Sequence, residues 1–298
     1  MNFINYMKKI VGSEIASSLN NIQKEIFIWE ARLSEKEKEV SDLSIQIQNL
    51  KIALNLFLGE YNSKVGVLYV SLDKIKLRIK EYQHRINLAK GKKLSQDNLN
   101  NIEEEINDNF FQERSKIDNL ESETSDSSKE YNEYLEKEKG KYPDRESREK
   151  LKKLYRKLAL KFHPDRAKNE KQREEFHNIF SLINEAYKNG DLDTLEKYIK
   201  QLEREEQIAK ETTKEKLTRL KKEYKVILDI ILKIHKELED LKVSEIYKLK
   251  EKVDQAKEMG RDLLQELATN IKLEISENQR ILDKLVSQYK EIIRSIMY

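Results

Sequence analysis

The chain has 298 residues, 38% of them charged, yet 58 basic against 55 acidic side chains leave a net charge of only +3. It has no cysteine, which excludes disulfides, iron–sulfur clusters and thiolate zinc sites. No apolar run approaches the roughly 18 residues of a membrane span, and near-neutrality gives no global reason to expect nucleic acid.

Seven glycines and two prolines supply few turn signals, while Lys, Glu, Leu and Ile dominate. Long helices with apolar seams have this composition; a single large globule does not. The N-terminal "MNFINYMKKIVGSEIASSL" mixes polar and apolar residues and lacks the continuous apolar core of a signal peptide. A soluble, cytoplasmic protein is expected.

From residue 22 the apolar residues fall into heptads: Ile22, Ile26, Trp29, Leu33, Val40, Leu43, Ile47, Leu50, Leu54 and Phe57, with Lys36 the one polar member. Steps of three and four keep one stripe on a partner helix. A second run, Val65 to Ala89, joins the first through Tyr61 by two successive steps of four, a stutter flanked by Gly59 and Gly66. One long, locally unwound helix is the favoured reading, a hairpin the alternative. Residues 1–90 are thus assigned to an N-terminal coiled coil.

Residues 91–129 read as an acidic polar linker with one helix around Ile102–Leu120. Between Asp97 and Glu130 there are eleven acidic and three basic residues, a net of −8. The C-terminal segment, 201–298, returns to heptads (Leu217, Leu220, Tyr224, Ile227, Ile231, Ile234, Leu238, Leu241), breaks phase near Val243–Glu245, where Ser244 can cap a new helix, and resumes to Ile296.

Between the coiled coils, residues 130–200 hold two amphipathic helices. Leu151, Leu154, Tyr155, Leu158, Ala159 and Phe162 make one apolar face, and Phe176, Ile179, Phe180, Ile183, Ala186 and Tyr187 a matching one that Asn189-Gly190 ends. Arg145 to Lys161 carries a net of +6. The polar connection suits an antiparallel hairpin. Pro164 stops the first helix and pushes His163 off helical geometry, leaving His163 and Asp165 at an exposed tip.

"YRKLALKFHPDR", a polar loop and "FSLINEAYKNGD" together resemble a J-domain, the DnaJ-type co-chaperone module. His163-Pro164-Asp165 is similar to the family's signature tripeptide, Tyr155–Ala159 to the end of its second helix, and Asn184–Tyr187 to the end of its third. Pro143 is placed to open the second helix. The usual first helix is blurred here; Tyr131, Tyr134 and Leu135 are its nearest counterparts. The resemblance implies docking on a DnaK-type (heat shock protein 70) chaperone whose ATP hydrolysis the module accelerates. His163, Pro164 and Asp165 are then the trigger, and Arg148, Lys152, Lys153, Arg156, Lys157 and Lys161 the docking strip. A basic helix that steers onto an acidic surface is physically consistent with this.

The four histidines lack ligand spacing, and neither a nucleophile elbow nor a phosphate-binding Gly-rich loop is present. No enzymatic activity, metal or cofactor is expected. The expectation is an all-α protein: a J-domain-like helical hairpin flanked by long coiled-coil helices. The arms pair antiparallel within the chain, or between chains as a homodimer; the heptads do not decide. The coiled coils bind a client or scaffold protein, and the hairpin recruits the chaperone there. The alternative is a coiled-coil scaffold subunit with a non-activating J-like domain. A nucleic-acid-associated coiled coil is the third reading and predicts steeply salt-dependent binding. The acidic segment is also a candidate cover for the basic helix.

Overall fold

The computed structural model describes residues 21–90, 96–138, 145–205 and 212–297. Among the described residues every regular element is helical and none is a strand. They are α1 (Asn21–Tyr61), a π-helical turn (Asn62–Gly66), α2 (Val67–Ala89), α3 (Gln96–Glu138), α4 (Arg145–Lys161), a 3-10 turn (Pro164–Arg166), α5 (Glu170–Asn189), α6 (Leu192–Glu205), α7 (Thr213–Val243), α8 (Glu245–Glu258) and α9 (Leu263–Met297). The all-α class is the expected one. The N-terminal stretch read as lacking a signal peptide, and Pro143, lie outside the described residues.

The chain divides into two compact units. One joins Met1–Ile52 to Tyr142–Ser244, the other Ala53–Lys141 to Glu245–Tyr298.

In the first unit α1 pairs with α7. Ile26, Leu33, Val40 and Ile47 meet Leu220, Ile227, Ile231, Ile234 and Leu238 along one seam, each burial stabilising by about 1.5–3 kcal/mol relative to exposure. The heptads predict this seam. Its direction differs from the antiparallel pairing expected. Glu25 meets Lys221 at 2.7 Å, Trp29 stacks edge-on to Tyr224 at 5.3 Å, and further along Lys51 meets Glu237 at 2.5 Å. Both helices therefore run the same way. Apolar seam residues fit either direction, so the heptads alone do not encode it. A capping box starts α7: the Thr212 amide donates to Glu215 Oε2 at 2.9 Å, and the Glu215 amide donates to Thr212 Oγ1 at 3.4 Å.

In the second unit the stutter appears as the π turn, where the Val67 amide donates to the Asn62 carbonyl five residues back. The helix is locally unwound there, and no hairpin forms. The segment read as a linker is helical throughout α3. It lies antiparallel on α2, with ion pairs Lys74–Glu121, Lys80–Glu113 and Arg85–Glu103, and His84 facing Glu105. Two physical features outweigh its loop-like composition. Ile102 and Ile106 are buried against Ile86 and Ala89, and the carboxylates that give the segment its charge find bases along α2. The same pairs occupy acidic residues that the sequence offers as a cover for the basic helix.

Small residues also matter. A Cβ on Gly59 would lie 2.5 Å from Tyr131 Cβ and one on Gly66 3.1 Å from Thr124 Cγ2, so both glycines admit α3 at close range. Parallel to α2, α9 packs Leu264, Ala268 and Ile271 against Val65 and Leu72. α8 turns into α9 at Gly260, whose φ of 74° is left-handed. The phase break near Val243–Glu245 is one extended residue, Ser244.

Candidate functional site

The hairpin of α4 and α5 forms as its two apolar faces predict. Tyr155, Leu158, Ala159 and Ile183 are fully buried, with Phe162, Ala186 and Tyr187 nearly so. The Tyr155 and Tyr187 rings lie 4.4 Å apart and Phe162 meets Phe176 edge-on at 5.5 Å. Tyr155 donates its hydroxyl proton to Asn184 Oδ1 at 2.9 Å. Burial, reinforced by the neighbouring Tyr187, pushes the Tyr155 hydroxyl up, so it stays a donor. Asn169 caps α5 by accepting from the Gln172 amide at 2.9 Å, and Gly190 ends it at φ 68°.

A third wall follows the hairpin. α6 packs Leu195, Ile199 and Leu202 into the same core, and Lys150 of α4 reaches Glu196 at 2.5 Å. Its start is written in the sequence: Asp191 accepts from the Thr194 amide at 3.0 Å and from its hydroxyl at 2.6 Å. The residues expected to form a first helix, Tyr131, Tyr134 and Leu135, instead close α3. Tyr131 packs there over Gly59.

At the tip His163 adopts φ −62°, ψ 127°, the extended geometry proline imposes on its predecessor. Pro164 opens the 3-10 turn. The Arg166 amide donates to the His163 carbonyl at 2.9 Å, and the Asp165 amide donates to His163 Nδ1 at 3.3 Å. The histidine thus caps its own turn through an unprotonated nitrogen. Its ring stands edge-on to Phe180 at 5.5 Å. Burial above all, aided by the Lys233 and Arg166 charges against the pull of Asp165, lowers its pKa.

The tip is not exposed as expected. His163, Pro164 and Asp165 are each half-buried, because α7 lies against the turn. Lys233 of α7 pairs with the Asp165 carboxylate at 2.7 Å, leaving that side chain 17% exposed.

The basic residues of α4 form two rows at successive fourth positions, Arg148–Lys152–Arg156 and Lys153–Lys157–Lys161. Leu160, four residues after Arg156, continues the first row and packs against the α1–α7 seam. Arg156 pairs with Asp42 of α1 at 2.9 Å and Lys152 with Glu149 at 3.3 Å. Arg148, Lys153, Lys157 and Lys161 are exposed. Arg166, beside the tripeptide, reaches Glu37 of α1 at 3.4 Å.

Sequence reasoning missed the side of α1 that receives the hairpin. Ser41, Ser44, Ile45 and Gln48 are buried, and Tyr187 donates its hydroxyl proton to Asn49 Oδ1 at 3.1 Å. Together with Ile52 these residues follow the spacing i, i+3, i+4, i+7, i+8, i+11. That spacing was the available signal, hidden because four of the six positions are polar. Among the described residues no cluster of His, Asp or Glu is placed to hold a metal ion. No described helix is long and apolar enough to cross a membrane.

The family model for the DnaJ domain matches residues 141–189. The chain is 53% identical over 57 residues to a protein named "Chaperone protein DnaJ" from Helicobacter pylori, covering 19% of this chain and 13% of that protein. It is 55% identical over 40 residues to a protein of the same name from Campylobacter lari, covering 13% of this chain and 10% of that one. The chain therefore spans only about an eighth of the length of these curated relatives. No solved structure matches it.

Proposed function

From the DnaJ domain at residues 141–189, we propose that the protein is a co-chaperone adaptor acting on a DnaK-type chaperone in the cytoplasm. His163, Pro164 and Asp165 trigger ATP hydrolysis in the chaperone, and Arg148, Lys152, Lys153, Arg156, Lys157 and Lys161 steer and hold it. The coiled-coil helices bind a client or scaffold protein, which raises the local concentration of the chaperone there. The protein itself carries out no chemistry. The observation that supports this best is the tip: a His-Pro-Asp turn between two helices that pack as a J-domain hairpin, beside a helix segment of net charge +6.

Binding of a DnaK-type chaperone from the same organism, followed by stopped-flow fluorescence, tests the reading. Lys153→Glu with Lys157→Glu lowers the on-rate, and the on-rate of the unaltered protein falls as salt rises. Equal on-rates for both proteins at low salt would remove the docking role of the basic rows.

The second reading is a coiled-coil scaffold whose hairpin activates no chaperone. The half-buried trigger and the absence of a separate short first helix among the described residues favour it. It predicts no stimulation by a folded protein under any salt condition.

A further inference from the structure

Resting on the co-chaperone reading, we infer that the parallel pair α1–α7 is a built-in stand-in for the chaperone, holding the J-domain closed until it is displaced. Three observations in the first unit carry this. The contact holds two residues that the chaperone would need, Asp165 by Lys233 and Arg156 by Asp42, and ties Arg166, next to the tripeptide, to Glu37. Its apolar contact is Leu160, which continues the first basic row and packs on the α1–α7 seam. It is also chemically apt, since Glu37 and Asp42 offer α4 and its tip the acidic surface that a basic docking helix seeks.

The hold is of a kind that can be released. The Arg156–Asp42 pair sits at the rim, 45% and 50% exposed, where such a pair contributes little; Lys233 is 62% exposed as well, while Asp165, Arg166 and Glu37 are more enclosed, at 17%, 20% and 29%. A cleft of about 840 Å³ separates part of the turn, at Arg166 and Lys168, from Lys214 and Arg219 of α7. The hairpin core, by contrast, is closed by α6. Release of the tip and basic rows from α1 and α7 withdraws Ile45 and Ile52 of α1 from this core but leaves Tyr155, Leu158, Ile183, Leu195 and Leu202 packed on one another across α4, α5 and α6. A ligand that binds the face of α1 and α7 left free when the hairpin is released shifts the population toward the open state by its differential affinity.

The test uses the full chain with Glu37→Ala, Asp42→Ala and Lys233→Ala combined, none of which lies in the proposed trigger or docking strip. Two readouts are needed. The chain has no cysteine, so Leu160→Cys gives a single thiol whose reaction with a maleimide reports opening without any chaperone. Single-turnover ATP hydrolysis by a DnaK-type chaperone reports function.

Removing three partly exposed ion pairs shifts the opening equilibrium about tenfold. Thiol reaction and, at subsaturating protein, chaperone stimulation both rise by about that factor. An unchanged thiol rate overturns the closure. A faster thiol with stimulation equal to that of the unaltered protein overturns inhibition while leaving the co-chaperone reading intact. A faster thiol with no stimulation from either protein removes the co-chaperone reading, and this inference with it.

Discussion

Leu195→Ala tests whether α6, which follows the hairpin, belongs to its core. Leu195 is fully buried among Tyr155, Leu158, Phe162 and Ile199. The substitution deletes three buried carbons, about 2.4 kcal/mol of transfer free energy at 0.8 kcal/mol per methylene. Incomplete collapse of the cavity raises the expected cost to about 3–4 kcal/mol. Leu182→Ala is the control, because Leu182 lies on the same hairpin but is 47% exposed; its cost stays below about 1 kcal/mol. Urea unfolding followed by the fluorescence of Trp29 suits the measurement. Trp29 is the one tryptophan in the chain and packs on Tyr224 within the same unit. With a slope near 2 kcal/mol/M the midpoint falls by about 1.5–2 M for Leu195→Ala. A shift no larger than that of Leu182→Ala would show that α6 does not close the hairpin core.

Three further outcomes are expected. Gly59→Ala places a Cβ 2.5 Å from Tyr131 Cβ, an atom that cannot swing aside. It destabilises the second unit by about 1–3 kcal/mol, read as a lower midpoint in the far-ultraviolet transition that Trp29 does not report; an unchanged midpoint would refute the close approach. The lowered pKa of His163 means that the unfolded chain binds this proton more readily, so its contribution to stability is full above about pH 6.5 and is lost as pH falls below that value. Chemical denaturation at pH 7.5 and 5.5 shows a smaller pH loss in His163→Gln than in the unaltered protein, and equal losses would contradict the sign. Tyr187→Phe removes the bond to Asn49 and costs about 1 kcal/mol in the Trp29-monitored transition; no cost would mean that Asn49 does not help to seat the hairpin on α1.

The parts of this protein that were legible in its sequence are those set by a short-range apolar period. The heptads of α1 and α7, the two faces of the α4–α5 hairpin and the stop at Gly190 follow from spacing alone, because each position is decided by its neighbours within one or two turns. The stutter through Tyr61 was legible for the same reason and is realised as a π turn. Three features were not. α3 has the composition of a linker, and its helicity depends on bases of α2 more than 15 residues distant in sequence. The direction of the α1–α7 pair is not encoded by a symmetric apolar seam. The second side of α1 buries Ser41, Ser44 and Gln48, residue types that a hydrophobic count discards although small size and hydrogen bonding are what let the hairpin sit there.

At the candidate site, the identity of the tripeptide was readable and its surroundings were not. Proline fixes the backbone of His163 locally, so its extended geometry follows from the sequence. The partial burial of the turn and the Lys233–Asp165 pair arise from residues 68 positions apart, brought together only by the seam of α7 with α1.

The central claim is that this hairpin is a working J-domain. Single-turnover ATP hydrolysis by a DnaK-type chaperone of the same organism, with the unaltered protein and with His163→Gln, tests it most directly. The account predicts acceleration by the unaltered protein and none by His163→Gln. Equal rates with and without the folded protein, in its unaltered and its Glu37→Ala, Asp42→Ala, Lys233→Ala forms, would contradict it.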